Sequence, residues 1–131
     1  MKRIVPLILS FFVTLGMMSQ TPAITFEKST HDFGKIKEQD GLANYSFTFK
    51  NTGDTPLVIN RVHATCGCTT PNWTKEPILP GKSGTITASF NPAGRPGPFI
   101  KTISVFSNAG PNPVTLSIKG DVIPRPAVSR E

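Results

Sequence analysis

Short segments in which apolar and polar residues alternate fill most of this sequence, and turns containing proline or glycine separate them. The clearest segment is 43–50, where Tyr45, Phe47 and Phe49 alternate with polar side chains. A period of two places the three aromatic rings on one face of an extended strand. No segment shows sustained helical periodicity, and thirteen prolines and eleven glycines interrupt the chain. This pattern is typical of an all-β sandwich.

Further segments show the same strand pattern. Five apolar residues of 83–91 and 99–107 are predicted to face the core. They are Ile86, Ala88, Phe90, Ile103 and Val105. The remaining apolar runs lie near the N-terminal end and are interrupted, which indicates a first strand broken between the two sheets. We therefore predict an immunoglobulin-like antiparallel β-sandwich of about seven strands. The predicted strand segments are 24–27 with 32–36, 43–50, 57–63, 83–91, 99–107 and 114–122.

The segment 57–63 departs from strict alternation. Leu57 and Ile59 share one face, whereas Val62 is out of phase with them. One extra residue in the strand restores the phase, so the sequence predicts a β-bulge near Asn60 or Arg61.

The first nineteen residues are predicted to be a signal peptide. Lys2 and Arg3 precede an apolar run over 4–18, and a short uncharged stretch follows it. The run is shorter than the roughly 20 apolar residues that a transmembrane helix needs. We expect an exported protein, periplasmic or extracellular, without a membrane span after cleavage at Ser19. The folded domain would then cover 20–123, and 124–131 would form a short mobile tail.

The charge of the chain gives little indication of its partner. The net charge is +6, and loss of Lys2 and Arg3 with the signal peptide lowers it to +4. The remaining basic residues are scattered singly rather than clustered. Because nucleic-acid binding requires a basic patch, we expect no nucleic-acid partner.

Several short motifs together resemble one bacterial family. They are the segments 31–36 (HDFGKI), 47–53 (FTFKNTG), 56–59 (PLVI), 66–69 (CGCT), 78–81 (ILPG), 90–92 (FNP) and 107–108 (SN). In this succession the chain is similar to the family called domain of unknown function 1573. More distantly it is similar to the immunoglobulin-like domains of major sperm protein and of Hydin-type proteins. The resemblance implies an immunoglobulin-like fold and an exported location, and it implies no established activity.

The chemically distinctive motif is Cys66-Gly67-Cys68, which contains the only two cysteines of the chain. An oxidising compartment favours a disulfide or a reversible redox pair. In an extended strand the two Cβ atoms lie too far apart for a bond, so Gly67 would have to supply a tight turn. A bond across so short a loop adds little stability and would be easily reduced.

Two other interpretations of these cysteines remain open. With His63, the two thiolates of Cys66 and Cys68 could bind a soft metal ion such as Cu(I) or Zn²⁺. Alternatively, the cysteines are small apolar residues packed at one end of the sandwich, with Trp73 above them.

No catalytic constellation is visible in the sequence. The histidines available as bases are His31 and His63. A Cys66–His63 pair is conceivable, but no asparagine or aspartate is obviously placed to orient its imidazole. We expect no enzyme activity and no cofactor. The expected function is an interaction or structural module for an unknown envelope protein or polymer. The loops 77–82 and 91–98 or an exposed sheet edge would be its contact surface.

Overall fold

The computed structural model describes residues 21–126, which form two packed β-sheets. The predicted signal peptide and residues 127–131 of the predicted tail lie outside the described residues. Eight strands are present in the described part, where the sequence predicts about seven. They are β1 (Ile24–Phe26), β2 (Thr30–Lys37), β3 (Ala43–Asn51), β4 (Ile59–Ala64), β5 (Thr69–Trp73), β6 (Ser83–Phe90), β7 (Gly97–Ser107) and β8 (Val114–Ile123).

The two sheets contain four strands each, in the orders β1-β3-β6-β5 and β2-β8-β7-β4. β1 and β2 follow each other closely along the chain but lie in different sheets. The prediction of a broken first strand that switches between the sheets is therefore confirmed.

One pairing differs from the expected antiparallel arrangement. β2 pairs with β8 in parallel, and the other strand pairs are antiparallel. The reason is the crossing after β1, which changes sheets without reversing the chain. The register of β2 shifts between Asp32 and Lys35. Gly34 within this bulge has a φ of 67°, a conformation that glycine adopts without steric cost.

The predicted bulge in β4 is confirmed, because the register with β7 shifts between Ile59 and Arg61. The strand itself begins two residues later than predicted. Leu57 instead forms an isolated bridge with Ile78, in the predicted loop 77–82.

β5 is the strand that the sequence did not predict. It lies at the edge of its sheet and contains Pro71, which disfavours a strand by propensity alone. A proline is tolerated at such an edge when its nitrogen faces away from the neighbouring strand.

The core lies between the sheets and is built from alternate residues of their inner faces. All five predicted core residues of β6 and β7 are buried. Among residues 21–126, the largest fully buried side chains are those of Phe47, Phe49 and Phe90, and the amide of Asn51 is fully buried as well. Within 21–126 there is no helix long and apolar enough to cross a membrane.

Candidate functional site

The cysteine motif forms the connection in which the chain crosses from β4 in one sheet to β5 in the other. Cys66 and Cys68 are joined by a disulfide, with their Cα atoms 5.2 Å apart. The motif follows β4 in one sheet and precedes β5 in the other, and both strands are edge strands on the same side of the sandwich. The disulfide therefore lies where the chain passes from one open edge to the other.

Backbone hydrogen bonds fix this crossing on both sides. The N–H of Thr65 donates to the carbonyl of Thr102 in β7, at 3.1 Å. The N–H of Thr69 donates to the carbonyl of Cys66 at 3.1 Å and closes a turn around Gly67. Cys68 is buried, Cys66 is half-buried and Gly67 is exposed. The loop is thus anchored at its ends and open to solvent at its tip.

The third residue of the hypothetical metal site lies on β4. His63 follows the buried Val62, and its side chain is exposed on the outer face of the sheet. Among residues 21–126, no three or more His, Cys, Asp or Glu side chains are grouped so that they could hold a metal ion. A metal site formed by His63, Cys66 and Cys68 would require reduction of the disulfide, and it stays a prediction.

Trp73 is half-buried at the end of β5. It and Cys66 both pack against the core cluster that contains Cys68. The Lys75 Nζ lies 2.9 Å from the centroid of the indole ring, in a cation–π contact. The indole is therefore partly covered by its own neighbour along the chain.

His31 lies in β2, in the other edge strand of its sheet, rather than beside the cysteines. Its ring stacks on Tyr45, with centroids 3.7 Å apart and planes 6° from parallel. Burial, and then the positive charge of Lys28, lower the pKa of His31, while Asp32 opposes the shift. The environment of His31 is that of an aromatic contact between the sheets.

The backbone of the edge strands determines what each sheet can bind. In an antiparallel pair, the N–H and C=O groups of alternate residues point toward the partner strand and away from it. The N–H of Thr74 donates to Thr85, and that of Asn91 donates to Cys68. The register with β6 then places the backbone groups of Thr69, Pro71 and Trp73 on the open side of β5.

Each of these three outward positions of β5 lacks a free donor. Thr69 donates its N–H to Cys66, and Pro71 has no N–H. Trp73 donates its N–H to the Oδ1 of Asn72, at 2.9 Å. An incoming strand would find no backbone donor along this edge, which is one way in which proteins prevent unwanted strand pairing.

β4 is different. Because Thr65 donates to Thr102, the same alternation directs the backbone groups of Arg61 and His63 toward β7. The N–H and C=O groups of Val62 and Ala64 consequently point to the open side. In the described part of the chain, no side chain or turn hydrogen bonds to them.

The other two edges are short or interrupted. β1 has three residues. β2 contains the bulge at Gly34, whose N–H donates to Asp32 at 2.8 Å. At its end, the N–H of Lys37 donates to the carboxylate of Asp40. Before the bulge, the outward groups of Thr30 and Asp32 have no hydrogen bond within the described residues either. Within 21–126, β4 is the edge that lies beside the capped β5 and keeps successive outward groups without such a bond.

The predicted contact loops are both tied to the rest of the domain. In 77–82, Ile78 is buried, whereas Leu79 is exposed. In 91–98, Gly94 donates its N–H to the Glu38 Oε1 at 2.9 Å, and the N–H of Arg125 donates to the Oε2 at 2.9 Å. Glu38 therefore joins β2, this loop and the start of the predicted tail.

The two hydrogen bonds that Glu38 accepts should depend on pH. The N–H of Arg125, and then that of Gly94, lower the pKa of Glu38. Because the folded state favours the carboxylate, its contribution is complete above the ordinary glutamate pKa and is lost as the pH falls through the lowered value. As the pH falls below about 4.3, the ordinary pKa of a glutamate, we expect the amide resonances of Gly94 and Arg125 to titrate together. Nuclear magnetic resonance (NMR) measures this directly.

The matched variants are Glu38→Gln and, on an exposed loop, Glu76→Gln. We expect Glu38→Gln to abolish the shared titration and Glu76→Gln to leave it unchanged. Persistence of the titration in Glu38→Gln would contradict the assignment.

A shallow depression of about 390 Å³ lies on the outer face of the second sheet. It includes the apolar residues Pro98, Phe99 and Ile100, around which four charged residues are placed. It lies over β2, β7 and β8 and does not include the cysteine motif. The charged residues are Asp32, Lys35, Lys119 and Asp121.

Solved structures share this fold at low sequence identity. A protein of unknown function from Porphyromonas gingivalis W83 is 20% identical, with a TM-score of 0.67 over 78% of this chain and 47% of that chain. The VesB protease of Vibrio cholerae is 14% identical, with a TM-score of 0.60 over 77% of this chain and 32% of that chain. This chain thus spans about half of the first protein and a third of the second. At such identities the similarity concerns the fold alone.

No curated protein matches this chain in sequence. The family model described as protein of unknown function (DUF1573) matches residues 24–122, which include all the strands except the last residue of β8. The chain therefore belongs to the domain of unknown function 1573 family.

Proposed function

We propose that this chain is an exported, non-enzymatic interaction module of the cell envelope that binds its partner by adding a strand to β4. The observation that supports the proposal is the contrast between neighbouring edges. β5 has a capped or missing donor at every outward position, whereas the outward groups of Val62 and Ala64 on β4 have no hydrogen bond within the part of the chain that the structure describes. Export is expected from the signal peptide over 1–19.

Strand addition suits such an edge. Main-chain hydrogen bonds to the free N–H and C=O groups give affinity, and alternate side chains give specificity. Exposed edges are usually protected because they promote aggregation. An edge left open beside one that is capped is therefore a candidate binding surface.

The test uses three capped heptapeptides in which valine alternates with threonine, glutamate or lysine. We expect at least one of them to shift the amide resonances of Val62 and Ala64 in NMR titrations. Ala64→Pro removes one outward donor without removing a β4–β7 hydrogen bond, and it should abolish the shifts. Ala64→Val keeps the donor and should preserve them. Failure of all three peptides to perturb β4 would refute the proposal.

A second candidate function is thiol–disulfide exchange at Cys66 and Cys68. It is favoured by the position of the disulfide, in a loop whose tip at Gly67 is exposed. A thiolate of a partner dithiol would attack one sulfur, and its second thiol would resolve the mixed disulfide. The partner loses two electrons and two protons and becomes a disulfide, and Cys66 and Cys68 become thiols.

Alkylation and mass spectrometry test this exchange. In native buffer with dithiothreitol, we expect two alkyl groups per chain, at Cys66 and Cys68. A protein that takes up no label until it is unfolded would contradict the exchange function. The reduced protein is then titrated with Cu(I) or Zn²⁺, with His63→Ala as the control, to test the predicted metal site.

A further inference from the structure

We infer that the strand added to β4 is amphipathic and acidic, with carboxylate side chains alternating with apolar ones. This inference rests on the proposed function and specifies the chemistry of its partner. It follows from the two faces that β4 offers beside its open edge.

The outer face beside this edge carries the positive charge of Arg61. Arg61 and His63 are both exposed there, on the residues that alternate with Val62 and Ala64. The Cζ of Arg61 lies 4.3 Å from the centroid of the Phe106 ring on β7, which holds the guanidinium against the sheet. Every second side chain of an added strand would lie beside these two residues.

No opposite charge near in sequence neutralises this surface. The segment 55–75 forms β4, the cysteine loop and β5, and it contains no aspartate or glutamate. Its charged or titratable residues are Arg61, His63 and Lys75. Carboxylates on the added strand would supply the missing opposite charge.

The inner face beside the same edge is apolar. Val62 is buried, and Ala64 packs partly buried against the core cluster. The adjacent edge strand β5 presents Pro71 and the half-buried Trp73 on the corresponding side. Side chains of an added strand that point inward would therefore contact apolar groups, which favours residues such as valine there.

A second copy of this chain fits the edge poorly. If two β4 strands paired in register around Val62, the Arg61 guanidinium groups of the two copies would lie on the same outer face of neighbouring strands. Like charges on neighbouring strands are destabilising. The charge of the edge thus favours an acidic partner over self-association.

The experiment compares the affinities of the three heptapeptides for the whole domain at low salt. We expect the valine–glutamate peptide to bind about tenfold more tightly than the valine–lysine peptide, with the valine–threonine peptide between them. The preference should decrease at high salt, since the charges are exposed. Arg61→Glu should remove or reverse the preference. Lys50→Glu, on the exposed face of β3 in the other sheet, should leave it unchanged.

The remaining outcomes would contradict either the acidic preference or strand addition itself. Equal affinity of the three peptides at β4 would overturn the acidic preference and leave strand addition intact. No binding by any peptide would overturn both. Dimers in sedimentation experiments that Ala64→Pro abolishes would identify a second copy as the occupant, in contradiction to the acidic partner.

Discussion

Replacement of Asn51 by alanine is expected to lower the free energy of unfolding by about 2–4 kcal/mol, because this fully buried side chain makes three hydrogen bonds to backbone groups. Its Nδ2 donates to the carbonyls of Thr55 and Ile78, each at 2.8 Å. Its Oδ1 accepts the N–H of Gly53 at 2.9 Å. Alanine removes all three bonds and leaves a cavity in place of a fully buried side chain. The N–H of Gly53 and the carbonyl of Thr55 lose this partner, whereas the carbonyl of Ile78 keeps the N–H of Leu57. Chemical denaturation of the domain measures the change.

Asn44→Ala is the matched control. Asn44 lies on the same strand, but its side chain is exposed. We expect a change of at most about 0.5 kcal/mol there. If Asn51→Ala were as mild as Asn44→Ala, the amide would not organise the turn after β3 as its hydrogen bonds indicate.

Phe49→Ala is expected to cost about 3–5 kcal/mol, since it deletes a fully buried ring from the centre of the core. The ring packs against Phe26, with centroids 5.5 Å apart. Its tip occupies the hollow above Gly84, where a Cβ atom would lie 2.5 Å from the Phe49 Cζ. The space vacated by the ring should therefore be partly refilled by a side chain at position 84.

A double-mutant cycle checks this packing. Gly84→Ala alone should destabilise by about 1–3 kcal/mol through overpacking. Combined with Phe49→Ala, the same substitution should cost clearly less or become favourable. Strict additivity of the two substitutions would show that the ring and the Gly84 hollow are not in contact.

The strands that the sequence predicted are those whose apolar residues alternate without interruption. Phe47 and Phe49, like Ile103 and Val105, reveal their inward direction by a period of two, and all four are buried. The bulge in β4 was predictable for the same reason, because Val62 breaks the phase. β5 could not be found this way, since its place beside β6 depends on a tertiary ladder that tolerates Pro71.

The candidate site was only partly predictable. The spacing of Cys66 and Cys68 drew attention to the loop, but the turn that brings the sulfurs together depends on the Thr69–Cys66 hydrogen bond. The difference between the edges of β4 and β5 depends on register, which composition does not report. Pro71 followed by Asn72 is the one local signal that could have indicated a protected edge.

Hydrogen–deuterium exchange within β4, followed by NMR on the free domain, shows whether the outer edge of this strand is open. The open edge predicts alternation along a single strand. The amides of Val62 and Ala64 should exchange about tenfold or more faster than those of Arg61 and His63, which donate to β7. Uniformly slow exchange at all four amides would mean that the outer side of β4 is already covered, and it would rule out strand addition at this edge.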